Sequence, residues 1–216
     1  SHDLKRGLKL TAGVLNSGIG KAEILELGAQ RIELKFTRSG EAPRRMNLDV
    51  IVAVPRPQTI KKILQLCSAC GVARIDFVQS HKTVKSYLRS KRLEPQNIEM
   101  EAFKGLELSV DTAAPVVRVG ARLEEVLREA EHGERDLRLV ANYGCSGEID
   151  LAGMITAGAL PASAALAIGP ETGWSERELS KFGECGFRAV SLGPRIFRSE
   201  HALALLIGQL KLLLSV

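Results

Sequence analysis

Two short apolar runs flank a single capped helix, and each ends in a loop rich in glycine and proline. No other feature constrains the possible fold of this chain as much. The first run closes on Gly169-Pro170-Glu171-Thr172-Gly173 and the second on Leu192-Gly193-Pro194-Arg195. Between them Ser175 and Glu178 have capping-box spacing, and Gly186 supplies a left-handed stop after Cys185. That spacing predicts a helix over 176–185. Strand ends that deliver such loops belong to an open α/β sheet, where ligands bind in the crevice beyond the carboxyl ends of the strands. Either loop alone also fits an ordinary strand-to-helix turn. Both together, each followed by charged residues, make 168–202 a candidate small-molecule site.

The same alternation runs through most of the chain. LDVIVAV, TIKKILQLCSAC closed by Gly71, ARIDFV, LEEVLREAEHG, LRLVAN, AALAIG and AVSL switch between strand-like and helix-like patterns, which predicts a parallel sheet with helices on both faces. Residues 1–45 differ. Hairpin punctuation at Asn16–Gly20 and period-two alternation in RIELKF predict short strands. SGEAPRR marks a linker at 39–45, so the expected division is a small β module at 1–45 and an α/β domain at 46–216. At the far end EHALALLIGQLKLLLSV reads as a helix. Leu203, Leu206, Ile207, Leu210 and Leu214 form one stripe, and Leu205, Leu212 and Leu213 widen it to most of the circumference. A helix of that kind is buried on several sides, either in a single-chain core or in a dimer interface.

Several classes are disfavoured. Ala202–Leu214 is interrupted by Gln209 and Lys211 and is too short to span a bilayer, and no cleavable signal opens the chain; a soluble intracellular protein is expected. Cys67 and Cys70 form one C-x-x-C inside a helix-like run, without the second pair of a zinc site, so a buried reduced pair and no metal are expected. Gly18, Gly20 and Lys21 miss the Walker spacing, and Glu148 spoils a nucleophile elbow at Gly144–Gly147. A nucleotide-dependent or hydrolase chemistry is left without a motif. Charge is uneven: residues 55–95 carry nine Lys/Arg against two Asp/Glu. Such a run is either a solvated face or a phosphate-binding surface. Within it Lys61 and Lys62 suit the wet side of a helix, whereas Lys82 to Arg92, with Tyr87 able to stack on an unpaired base, suits looped RNA.

IGPETGWSERE and SLGPRIFRSEHA resemble the IGPEGG and LGxRILRxETA motifs of the RsmE family, trefoil-knotted SPOUT-class methyltransferases of small-subunit ribosomal RNA. VAVPRPQTIKKIL, CGVARIDFV, VKSYLRS and GLELSVDTAAP agree as well, so the resemblance covers nearly the whole chain in order. It implies a PUA-like β-barrel that helps hold RNA, then a SPOUT domain whose C-terminal knot and last helix pair two copies. It also implies methylation of a uridine N3 by S-adenosyl-L-methionine, in the cytoplasm or in an organelle after removal of a targeting peptide. A catalytically silent RNA-binding relative is the alternative. The opening hairpin is shorter between Leu10 and Thr11 than the family's, through a trimmed loop or missing residues.

By the same resemblance the cofactor is expected among Ala141 and Asn142, then Ile168, Gly169, Pro170, Glu171 and Gly173, then Ser191, Leu192, Gly193, Ile196, Phe197 and Arg198. Arg198 and Arg195 stay protonated and cannot be bases; they are expected to hold the target phosphate or the developing oxyanion. Glu200 or Glu171 is expected either to help accept the imide proton, or to fix an arginine or cap the last helix. The RNA contacts expected are Arg56, Lys82, Lys85, Tyr87, Arg89, Lys91 and Arg92. Thr172, Phe197, His201 and Leu108 depart from the family pattern, and a β-branched Thr172 fits positive φ poorly.

Overall fold

The computed structural model describes residues 4–129, 135–144 and 149–214. Cys145, the Gly144–Gly147 elbow beyond Gly144, and positions 130–133 of the LEEVLREAEHG segment lie outside the described residues.

The N-terminal segment forms β1 (Lys9–Val14), β2 (Gly18–Leu27) and β3 (Ile32–Glu41), an antiparallel sheet in the order β1-β2-β3. The β1–β2 turn places Asn16 at φ 54, a conformation that asparagine tolerates better than most residues. Leu10 and Thr11 are consecutive residues of β1, paired in register with Ala22 and Lys21, so the strand passes through the shortened point without a bulge. β3 is exposed throughout, and the sheet contributes only Ala22 and Ile24 to the buried apolar set. What anchors it is its first turn. The Asn16 N–H donates to Thr112 O at 2.7 Å, and Asn16 Oδ1 accepts from Arg45 Nη2 at 2.7 Å and from the Ala114 N–H at 3.1 Å.

After residues 42–45 the chain alternates as expected: β4 (Met46–Ala53), α1 (Pro57–Ala69), β5 (Val72–Gln79), α2 (Pro95–Ser109), β6 (Val116–Arg122), α3 (Leu123–Arg128) and β7 (Leu137–Ala141). It continues with α4 (Leu151–Thr156), β8 (Ala164–Ile168), α5 (Glu176–Glu184), β9 (Arg188–Val190) and α6 (Ser199–Leu213). The six strands form one all-parallel sheet in the order β6-β5-β4-β8-β7-β9. Parallel sheets are covered on both faces, and β4 shows how. Leu48, Val50 and Val52 enter a core shared with α1 and α6, whereas Ile51 and Ala53 enter a second core with α3 and α5.

Local signals account for the helix boundaries. α1 has Pro57 in its first turn and buries Ile60, Ile63, Leu64 and Cys67, an i, i+3, i+4, i+7 stripe. α5 is capped by Ser175 with Glu178 reciprocating, as its sequence predicts. α2 and β6 went unread in the sequence for physical reasons. α2 is capped by Val110 at φ 55, where glycine would be the signal. β6 is an edge strand interrupted by Gly120; its parallel pairing with β5 is reinforced by charge, with Arg118 Nε donating to the buried Asp76 on β5 at 2.7 Å. In α6 the stripe Leu203, Leu206, Ile207, Leu210, Leu213 is buried, but Leu205 and Leu212 are 45% and 69% exposed. Within one chain this helix is therefore buried on one side only. Cys67 is fully buried and Cys70 half-buried, both free thiols, and burial pushes both pKa values up.

Candidate active site

The carboxyl ends of β7, β8 and β9 point the same way, because β7 pairs in parallel with both β8 and β9, and the strand order makes the three neighbours. Their three loops enclose a cavity of about 360 Å³, closed at one side by Ser199 and Ala202 on the first turn of α6. Two larger cavities of about 520 Å³ lie elsewhere. One sits between the β1–β2 hairpin and α2, the other at the amino ends of β4 and β5. Neither collects loops from the carboxyl edge, which is where an open parallel sheet presents its ligand site.

Loop by loop, the cavity is built from short-range chemistry. After β7, the Asn142 N–H donates to Val190 O at 3.1 Å, extending the β7–β9 pairing so that Ala141 and Asn142 stay beside Ser191. After β8, the Gly173 N–H donates to Pro170 O at 2.8 Å, and Gly173 takes the left-handed conformation at φ 71. Thr172 keeps negative φ, so its β-branch is accommodated without strain. Gly169 is closely packed: a Cβ there would lie 3.2–3.3 Å from the Trp174 indole, so the ring would have to give by a few tenths of an ångström. After β9, Gly193 sits at φ 88 and a Cβ there would meet no protein atom within 4 Å. Ser199 Oγ donates to Gly169 O at 3.2 Å and ties α6 to the β8 loop. Beneath the loop Trp174 packs edge-on to Phe182 at 4.9 Å; its Nε1–H is buried and has no hydrogen-bond partner among the described residues.

Of the residues expected around a cofactor, Ala141, Asn142, Ile168, Gly169, Pro170, Glu171, Gly173, Ser191, Leu192, Gly193, Ile196 and Phe197 all line this cavity, as does Arg195. Ile196 is 79% exposed, so an apolar side chain projects from the rim. Arg198 does not line the cavity; it is exposed at the N-cap of α6. Glu200 is buried and also lies off the cavity lining, with Lys62 Nζ donating to it at 2.9 Å. Burial alone would raise the Glu200 pKa, but the Lys62 hydrogen bond and the helix's own backbone N–H outweigh it and hold the carboxyl below its ordinary value. Sequence reasoning did not single out Tyr143, Trp174, Val190, Ser199 and Ala202 as lining residues, although all but Tyr143 fall within the 168–202 stretch. Trp174, directly following the Gly-Pro-Glu-Thr-Gly run, was the available signal.

The basic segment divides into two groups. Lys85, Arg89, Lys91 and Arg92 are exposed along a stretch that holds two single 3₁₀ turns, Tyr87–Arg89 and Lys91–Leu93. Tyr87 is half-buried against the core cluster of α1 and α6. Arg56 and Lys82 turn inward to the β8 loop: the Arg56 guanidinium lies 3.8 Å from Glu171, and Lys82 Nζ donates to Thr172 O.

Residues 42–211 match the RNA methyltransferase domain family over most of the chain. The chain belongs to that family. The RsmE resemblance carried by the two loop motifs is borne out. This chain is 27% identical to the ribosomal RNA small subunit methyltransferase E of Treponema pallidum, over 92% of the chain and 77% of the relative. Identity is 28% to the Synechocystis protein of the same name, over 99% of the chain and 71% of that protein. In structure it is similar to a ribosomal RNA small subunit methyltransferase E from Neisseria gonorrhoeae bound to S-adenosyl methionine. The TM-score there is 0.75 at 22% identity, covering 96% of this chain and 84% of that one. The family's mixed α/β fold with a parallel sheet is the one found here. No helix among the described residues is long and apolar enough to cross a membrane.

Proposed function

We propose that this chain is an S-adenosylmethionine-dependent methyltransferase acting on N3 of a uridine in small-subunit ribosomal RNA, in the cytoplasm where ribosomes are assembled. One observation carries the reading: in a member of an RNA methyltransferase family, three loops from adjacent parallel strands meet around a single cavity, with Gly169, Gly173 and Gly193 on its wall. A cofactor made of a nucleoside joined to an amino acid fits it. Ile168, Leu192 and Phe197 offer an apolar wall for a purine, Gly169 and Gly193 let backbone approach, and Asn142 and Ser191 add polar groups. The cofactor supplies an electrophilic methyl group on a sulfonium.

The residues of this chain do the remainder. Arg195 on the cavity wall and Arg198 at its edge present fixed positive charge to the phosphate or to the oxygen of a base that has lost its imide proton. Glu200, held in its charged form by Lys62, is a poor proton acceptor at neutral pH. Its role is to fix the start of α6, and with it Ser199 and the β8 loop. Lys85, Arg89, Lys91 and Arg92 face solvent and suit the RNA backbone. A catalytically silent relative is not favoured, because Gly169, Gly173 and Gly193 all line the cavity and the relatives carry methyltransferase names. Calorimetric titration with S-adenosylmethionine, followed by nucleoside analysis of unmodified small subunits incubated with the protein, tests this. Saturable binding and a new 3-methyluridine are expected, and no heat of binding in folded protein would sink the assignment.

The finer architecture belongs to the same proposal. Residues 1–45 serve as a PUA-like RNA-holding module and 46–216 as a SPOUT domain knotted at its C-terminal end. Two copies pair through the knot region and α6. Leu205 and Leu212 on the open face of α6, with Ile196 nearby in sequence, support the pairing, since such side chains gain by burial. Sedimentation equilibrium is expected to give twice the mass of one chain, and a Leu212→Asp variant to give the single-chain mass. A wild-type monomer at micromolar concentration would rule the pairing out, and a crystal structure tracing 137–214 without a threaded crossing would rule out the knot.

A further inference from the structure

Lys82 has the exposure of an RNA-binding cation, but its hydrogen bonds go to the cavity loop. Its ammonium donates to Thr172 O at 3.1 Å and to Trp174 O at 3.0 Å, the two carbonyls that bracket Gly173. Neighbouring contacts run the same way. The His81 N–H donates at 2.7 Å to Glu178, the capping carboxylate of α5, and the Arg56 N–H donates at 3.2 Å to Glu171. The turn at 80–83 is itself rigid, since Thr83 Oγ1 accepts from the Ser80 N–H at 3.0 Å and the Thr83 N–H returns to Ser80 O at 3.1 Å. A stiff basic turn therefore grips the most permissive part of the cofactor loop.

We propose that Lys82 is a positioning residue for the cofactor site: it holds the Gly169–Trp174 loop in its binding shape and couples that loop to the exposed cations of 85–92. The proposal rests on reading the cavity as the cofactor site. Gly173 at φ 71 gives the loop many unbound conformations, and ordering them at the moment of binding weakens affinity. An ammonium with three donors and no acceptor suits the task of collecting carbonyls. Because the gripping turn opens directly into the RNA-facing segment, RNA that orders 85–92 steadies the turn as well. Coupling of this kind is reciprocal, so RNA tightens cofactor binding by the same factor as cofactor tightens RNA binding.

Trp174 is the sole tryptophan of the chain and lies within the gripped loop, so intrinsic fluorescence reads the loop without any catalytic assay. Wild type, Lys82→Met and Lys82→Arg are titrated with S-adenosylmethionine, with and without small-subunit ribosomal RNA, and RNA affinity is measured against salt. Lys82→Met is expected to weaken cofactor binding by about tenfold, the scale of one or two lost hydrogen bonds. The KM for S-adenosylmethionine should rise in step, with kcat at saturation kept. Lys82→Arg should restore most of the affinity, and RNA should tighten cofactor binding in wild type more than in Lys82→Met. The salt dependence of RNA binding should not change. Wild-type cofactor affinity in Lys82→Met overturns the proposal, as does a salt slope shallower by about one phosphate contact, which would make Lys82 an RNA ligand. If wild type itself fails to bind S-adenosylmethionine, the cofactor reading of the cavity fails instead, a separate result from the same titration.

Discussion

An Arg198→Ala variant should bind S-adenosylmethionine within about twofold of wild type yet transfer methyl about 100- to 1,000-fold more slowly, the usual cost of removing one fixed donor from a developing oxyanion. The separation follows from position. Arg198 is the exposed N-cap residue of α6 and stands outside the cavity lining, whereas Arg195 is part of it. A guanidinium supplies a potential and a set of donors, never a proton acceptor. Because S-adenosylmethionine is bound before chemistry, a residue that acts on the anionic base lowers kcat and leaves cofactor affinity alone. Single-turnover rates with unmodified small subunits, beside calorimetry of the same variant, make the comparison. Equal losses in affinity and rate would place Arg198 on the cofactor instead.

Gly193→Val is expected to do the reverse and abolish measurable cofactor binding, a loss of at least about 100-fold. Gly193 lies at φ 88, where a β-branched residue is strained by about 1–3 kcal/mol. No protein atom lies within 4 Å of the added Cβ, which therefore points into open space. The isopropyl group therefore occupies space at the cavity wall that the cofactor needs. Strain of that size corresponds to a fall in Tm of several degrees for a chain of this length, which leaves the variant folded at 25 °C. Gly193→Ala, with the same φ and less bulk, should retain weak binding. A Gly193→Val protein that binds S-adenosylmethionine normally would move the cofactor off the β9 loop.

The two variants test residues that the sequence exposes readily, and there is a physical reason why these were readable. Loop glycines, a capping box and alternating apolar runs are set by neighbours a few positions away, so Ser175–Glu178, Gly173 and Gly193 announce themselves without tertiary information. α2 and β6 were harder because their signals are weak or displaced. Val110 fills a left-handed cap that glycine normally marks, and β6 is an edge strand reinforced by Arg118 pairing with Asp76 on another strand.

Charged side chains show the limit most clearly. Lys82, Lys85 and Arg89 are equivalent in a sequence, each a cation in one basic run. In the structure Lys82 reaches Thr172, 90 residues away, while Lys85 and Arg89 face solvent. Glu200 likewise pairs with Lys62 across 138 residues. Sequence alone determined most of the elements, the order of those it showed, and the loops that bear glycine, because those depend on local periodicity and backbone conformation. Only the tertiary structure decided that β8 lies between β4 and β7, which brings three loops to one cavity and chooses a partner for each charge. Strand order and ion pairing depend on which distant surfaces bury one another, and no local pattern encodes that.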